Sequence, residues 1–227
     1  MSASTQDVRI VVDPANTVSG LFDAPDNATA CYVMAHGAGA GMRHAFLAAV
    51  ARELRELGIA TLRFQFPYME KGSKRPDRPE LCHATVRAAV AQAATLAPSL
   101  PVFAGGRSFG GRMASQAQAV APLPRVRGLI FLGFPLHPAG KPSDTRADHL
   151  SKVNVPMLML QGTQDELAEV DLLRPLVQRL GGRVTLALFE HADHSFHVPA
   201  RSGRKDPEVR AEILRTLADW VARIVRA

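Results

Sequence analysis

A serine at position 108 lies between glycines at 106 and 110 in the run Gly105-Gly106-Arg107-Ser108-Phe109-Gly110-Gly111. A strand-like segment, Pro101 to Ala104, leads into it and a helical pattern, Phe109 to Val120, leads out. Gly-x-Ser-x-Gly at a strand-to-helix turn is the setting of a nucleophile elbow. The turn holds the serine in a strained backbone conformation, side chains at 106 and 110 would collide with the adjoining strand and helix, and the helix N-terminus favours nearby negative charge. A hydroxyl is a poor nucleophile until a base removes its proton and a carboxylate orients that base. Asp165 offers the acid, in Gly162-Thr163-Gln164-Asp165-Glu166 beyond the strand Pro156 to Gln161. The run Glu190-His191-Ala192-Asp193-His194-Ser195-Phe196-His197, beyond the strand Val184 to Phe189, offers the base. Both loops follow the carboxyl end of a strand, where sites in such sheets lie.

Attack on a carbonyl also needs two backbone N–H groups for the oxyanion. The amide of Phe109 follows the nucleophile directly, and Ala38 in His36-Gly37-Ala38-Gly39, after the strand Thr29 to Ala35, supplies the second. His36 itself reads as a structural hydrogen-bonding residue. His191, His194 and His197 recur every three residues beside Asp193, a spacing that invites a metal, but a zinc or iron site usually takes a further ligand from elsewhere and the chain offers no obvious one. No metal or cofactor is expected. Tyr68, Met69, Arg107 and His137 are candidates for the wall of the substrate pocket, set against the alternative that Arg107 makes a structural ion pair and Tyr68 packs beneath a loop. An Arg107 that faced the site would favour an anionic substrate.

The elements that must position these residues alternate along the chain, which is the signature of an α/β domain with a mostly parallel sheet of about seven or eight strands covered on both faces. Val8 to Val12 and Val18 to Phe22, separated by Asp13-Pro14-Ala15-Asn16, read as a hairpin and so as an antiparallel edge. Phe46, Leu47, Val50, Leu54 and Leu57 recur at helical spacing before Gly58, and Ile59 to Phe66 reads as the next strand. Further helices are expected over Glu80 to Leu96 and Ala168 to Leu180, and a further strand over Val126 to Gly133. A last helix is expected to open at Asp206 as cap and Pro207, with Ile213, Leu217, Trp220 and Ile224 on one face. Residues 1–227 read as a single domain.

Composition narrows the alternatives. With 227 residues, 47% of them hydrophobic, the chain has enough material for one sizeable core. Its apolar runs fall far short of the ~20 residues that span a bilayer, and the first twenty residues lack a signal-like hydrophobic centre, so a cytoplasmic protein without a membrane partner is expected. Cys31 and Cys82 read as buried free thiols. The net charge of +6 permits nucleic-acid contact, yet the basic stretches Lys71 to Arg78 and Arg201 to Lys205 lack interleaved aromatic residues and read as solvated surface. No nucleic-acid partner is expected, and the choice between monomer and homodimer stays open.

Taken together, the segments HGAGAG, RFQFPYMEKG, GGRSFGG, FLGFPLHPAGKP, LQGTQDELA and HADHSFHVP resemble the α/β-hydrolase superfamily, in its small dienelactone-hydrolase-like branch, and most of all the KANL3/Tex30-type hydrolase-like proteins. The likeness spans about residues 30 to 225. It implies Ser108, Asp165 and His194 as a catalytic triad, singling out His194 among the three histidines, with Phe109 and Ala38 as oxyanion donors. The resemblance has two departures: dienelactone hydrolases proper carry a cysteine where this chain has Ser108, and only Phe134 to Val155 stands where many relatives insert a lid. A serine hydrolase with an open site for small esters or thioesters is the function implied. The alternative is a catalytically dormant hydrolase fold acting as a protein-interaction module, for which the triad would have no physical use.

Overall fold

The computed structural model describes residues 5–226. Eight strands form one sheet in the order β1-β2-β4-β3-β5-β6-β7-β8, where β1 is Gln6–Asp13, β2 Asn16–Asp23, β3 Ala30–Ala35, β4 Ile59–Phe64, β5 Val102–Arg107, β6 Val126–Leu132, β7 Met157–Gly162 and β8 Val184–Phe189. β1 and β2 form the expected hairpin and β2 runs antiparallel to β4, while every pair from β4 to β8 is parallel. β3, β4, β6 and β7 are nearly continuous apolar runs, as strands buried on both faces must be.

Alternation along the strands splits the core into two layers. Cys31, Val33 and Ala35 face the layer built by α3 (Pro79–Leu96), α4 (Phe109–Val120) and α5 (Val170–Leu180). Ala30, Tyr32 and Met34 face α1 (Ala45–Glu56) and α6 (Asp206–Arg226), which contribute Leu47, Leu54, Ile213 and Leu217. Both cysteines are buried and free. No helix among the described residues is long and apolar enough to cross a membrane.

The strand order has a functional consequence. From β3 the chain crosses to β4 on one side, then returns past β3 to β5 on the other, so the loops leaving β3 and β5 diverge and open a crevice at their carboxyl ends. That crevice receives Ala38 and Ser108. Between β6 and β7 there is only a loop and a 3-10 helix, Thr145–Lys152, with no inserted lid. A short helix α2, Pro67–Glu70, ends the strand β4 earlier than the sequence pattern suggested, because Pro67 takes the first helical position.

The start of α6 also differs from expectation. Asp206 does not cap the helix; its carboxylate turns back to accept from the Val198 amide at 3.0 Å and to pair with His197. The capping contact belongs to Glu208, whose carboxylate accepts from the Lys205 amide at 3.0 Å. The first turn of α6 is thereby tied to the loop that bears His194.

Candidate active site

Ser108 sits at the junction of β5 and α4 with φ 50° and ψ −117°, a conformation that costs about 1–3 kcal/mol for a residue with a side chain. The surrounding structure holds it there. The Ser108 amide donates to the Leu132 carbonyl at 3.2 Å, and the Arg112 amide donates to the Ser108 carbonyl at 3.1 Å, closing the first turn of α4. A Cβ at position 110 would stand 2.5 Å from the Ala35 oxygen, so the elbow packs against the end of β3 only because that residue is glycine.

The Ser108 Oγ lies 2.8 Å from His194 Nε2, and His194 Nδ1 lies 2.7 Å from Asp165 Oδ2. Asp165 is 3% exposed, and both of its oxygens are filled: Oδ1 accepts from the Leu167 amide at 2.8 Å, and Oδ2 accepts from the Gln161 side chain as well as from His194. A carboxylate accepts at every contact, so each of these partners donates to it. The carboxylate in turn selects the His194 tautomer with its proton on Nδ1, leaving Nε2 as an acceptor toward Ser108.

The loop that carries His194 is fixed from two sides. Asp193 Oδ1 accepts from the amides of Ser195 at 2.7 Å and His197 at 2.9 Å. Arg107 donates to Ser195 Oγ at 3.1 Å and to the His194 carbonyl at 3.4 Å, and its guanidinium rests 4.9 Å from the centroid of Phe46. Arg107 is therefore a brace for the histidine loop. His191 is exposed and its amide donates to Thr163 Oγ1, while His197 pairs with Asp206, so the three histidines point to different partners.

Ala38, Ser108 and Phe109 share the wall of one cavity, and among the described residues neither the Ala38 nor the Phe109 amide donates to a backbone carbonyl in the turns, loops and caps. Two buried side chains shape the Ala38 loop. Tyr68 donates its hydroxyl to the Ala38 carbonyl at 2.8 Å. His36, fully buried, accepts from the Phe66 amide at Nε2 (3.1 Å), which leaves the ring proton on Nδ1 to donate to the Gly37 carbonyl at 2.8 Å.

Burial pulls the His36 pKa down to about 4, so the folded protein keeps it neutral. An unfolded chain protonates the same ring at about 6.5 and so gains its proton first as the pH falls. Stability is consequently lost between about pH 6.5 and 4, with no further loss below the folded value. Between pH 7.5 and 4.5 this one group is expected to remove about 2.5 kcal/mol, measured as the difference in the pH dependence of urea unfolding between the wild type and His36→Gln. Parallel curves for the two proteins would refute the role assigned to His36.

The cavity beside Ser108 has a volume of about 450 Å3, and its wall includes Pro79, Phe109, Met113, Gln116, Pro135 and Leu167 together with Arg112 and Arg146. None of the four pocket residues anticipated from sequence lines it. Tyr68 is 2% exposed and packs beneath the Ala38 loop; Met69 borders a separate depression with Gly41, Met42 and Gln65. Arg107 is turned to the His194 loop, and His137 is fully buried, with Nδ1 on the Pro138 carbonyl and Nε2 toward Glu169. The arginines that do line the cavity escaped the sequence reading. Arg112 had a signal, since four residues beyond Ser108 is one helical turn and the same face; Arg146 reaches the cavity from the 3-10 helix between β6 and β7 and had none.

Comparison with known proteins places this geometry. A family described as "Alpha/beta hydrolase domain" matches residues 28–222. An α/β serine hydrolase homologue from Coxiella burnetii superposes with a TM-score of 0.74 at 22% identity, covering 93% of this chain and 97% of that one. Dienelactone hydrolase from Anabaena variabilis gives 0.78 at 21% identity, with 97% of each chain covered. A serine hydrolase from Xanthomonas campestris, described as having no lid, gives 0.73 at 21% identity over 97% of this chain and 96% of that one. At these identities the similarity to the three structures shows a shared fold.

Proposed function

This chain belongs to the alpha/beta hydrolase domain family, and from that premise we propose that it is a serine hydrolase cleaving a small carboxylic ester or thioester through an acyl-enzyme. The observation that carries the reading is the continuous relay from Ser108 Oγ to His194 at 2.8 Å and from His194 to the buried Asp165 at 2.7 Å. Ser108 attacks the carbonyl carbon as His194 Nε2 takes its proton, and the imidazolium is stabilised by Asp165. The carbonyl oxygen becomes an oxyanion held by the amides of Ala38 and Phe109. Collapse expels the alcohol or thiol, which receives the proton from His194. Water, deprotonated by the same nitrogen, then attacks the acyl-serine, and a second collapse frees the acid and restores Ser108.

The open cavity and the short segment between β6 and β7 favour small substrates that need no lid to enclose them. Ser108 in place of cysteine argues against dienelactone itself as the substrate. The finer likeness to KANL3/Tex30-type proteins belongs to the same proposal and rests on the sequence segments alone.

The test is covalent labelling with a fluorophosphonate followed by intact-mass measurement. One adduct is expected on the wild type, with none on Ser108→Ala or His194→Ala, because labelling needs both the nucleophile and its base. A folded wild type that takes no label would sink the hydrolase reading and leave the fold as an interaction module.

A further inference from the structure

Two cations line the cavity that holds the proposed nucleophile. Arg112 stands on α4, one turn beyond Ser108, and Arg146 stands on the 3-10 helix between β6 and β7. Their elements are cross-linked: Ser115 Oγ donates to the Arg112 carbonyl at 2.9 Å and meets His149 Nε2 at 2.8 Å, so the two arginines are held toward one space. Among the described residues neither has a carboxylate within ion-pair distance, whereas Arg9, Arg55 and Arg210 each have one. The Arg112 Nε is buried without a hydrogen-bond partner. Its guanidinium lies 5.7 Å from the centroid of Phe109, the residue that directly follows Ser108. The one acid on the cavity wall, Asp77, already accepts from the Tyr68 amide at 2.7 Å and is outnumbered.

Unpartnered cations gathered in a half-buried space carry a desolvation cost and a mutual repulsion that an anion relieves. Burial and the charge of Arg146 both press the Arg112 pKa below its ordinary range, the direction such crowding produces. Arginine keeps its charge under these conditions, and its planar fork matches a carboxylate. The apolar remainder of the wall, Met113, Pro135 and Leu167, suits a short hydrocarbon chain between that carboxylate and the scissile bond. We infer that the substrate is an ester or thioester bearing a second, carboxylate group, and that Arg112 and Arg146 bind that carboxylate while Ser108 attacks the ester carbonyl. The inference rests on the serine-hydrolase reading and adds its substrate class.

Two pairs of esters test it. The first is 4-nitrophenyl hydrogen adipate with its methyl ester, placing the charge on the acyl chain at a length that discourages self-cleavage through a cyclic anhydride. The second is 4-acetoxybenzoate with its methyl ester, placing the charge on the leaving group. In at least one pair the wild type is expected to favour the acid at least tenfold in kcat/KM, with the preference shrinking as salt is raised. Arg112→Gln and Arg146→Gln are expected to bring that ratio to twofold or less. Comparing the two esters within each variant keeps the readout independent of how much of the protein is folded. Wild-type turnover without preference in either pair overturns the carboxylate site and leaves the hydrolase reading intact. A preference that survives both substitutions overturns the assignment to these arginines. Failure of both hydrolysis and fluorophosphonate labelling overturns the hydrolase reading, and the substrate class falls with it.

Discussion

On the proposed serine-hydrolase reading, Asp165→Asn is expected to fold and to lose about 10^4-fold in kcat, the size of loss measured when the acid of a known serine-protease triad is amidated. The reason lies in the count of acceptors. Asp165 offers an oxygen to the Leu167 amide and its second oxygen to both Gln161 and His194. Asparagine has one oxygen. If that oxygen stays with Leu167, the new NH2 group faces the Gln161 donor and His194 Nδ1, and His194 must move its proton to Nε2. The nitrogen that should accept from Ser108 then carries a proton. If the amide flips, the half-buried Leu167 N–H faces a donor, at a cost of about 1 kcal/mol. The first orientation removes the base with little disturbance of the backbone; the second keeps the Nδ1 proton but costs stability and sets a neutral amide where a carboxylate would stabilise the imidazolium. The measurement is kcat on an activated ester beside a urea unfolding curve. A variant retaining more than a tenth of wild-type activity would show that Asp165 does not set the tautomer. Asp165→Ala separates charge from orientation, since it leaves His194 free to adopt either tautomer.

The parts of this site that were legible in the sequence are those fixed by local rules. Gly106, Ser108 and Gly110 are recognisable because a strand-to-helix turn imposes its own steric pattern, and Asp165 and the histidine loop because both follow strands whose carboxyl ends converge, the family resemblance then selecting His194 among the three histidines. The hairpin and the mostly parallel sheet follow from the same logic. The pocket was not legible. Arg107 is adjacent to the nucleophile in sequence, but it is the last residue of β5, and its side chain is taken by the loop after β8. Tyr68 follows β4 and was a candidate for the pocket wall for that reason; α2 turns it inward, where its hydroxyl finds the Ala38 carbonyl, in line with the alternative that it packs beneath a loop. Arg146 reaches the cavity from the segment between β6 and β7, whose path is set by tertiary packing of Ala147 and Leu150. Adjacency in sequence thus identified what turns and strand ends dictate, and it misplaced what depends on where a side chain points after packing.

Gly106→Ala is expected to cost more than ~4 kcal/mol and to abolish cooperative unfolding or lower Tm by more than about 10 °C. β5 runs between β3 and β6, with Gly106 opposite Ala35 and Gly105 opposite Ile130. A Cβ on Gly106 would lie far inside van der Waals contact with the Ala35 oxygen, and one on Gly105 equally far inside contact with the Ile130 oxygen. Both clashes are with backbone in the middle of the sheet, so no rotamer change relieves them, and the φ of +139° at Gly106 is itself unfavourable for alanine. Relief would require β3 to move, and β3 leads into the loop that carries Ala38; a variant that did fold would still lose the oxyanion geometry proposed for that loop. Gly39 is the control from the same crevice. A Cβ there would meet nothing within 4 Å, and Gly39→Ala is expected to stay within about 0.5 kcal/mol of the wild type. The contrast separates two explanations of the glycines near Ser108. If they serve chain flexibility, both substitutions should be tolerated in folding and should alter activity alike. If they are there because β3, β5 and α4 approach too closely for any side chain, only the Gly106 variant collapses, and the position of the nucleophile is a consequence of sheet packing.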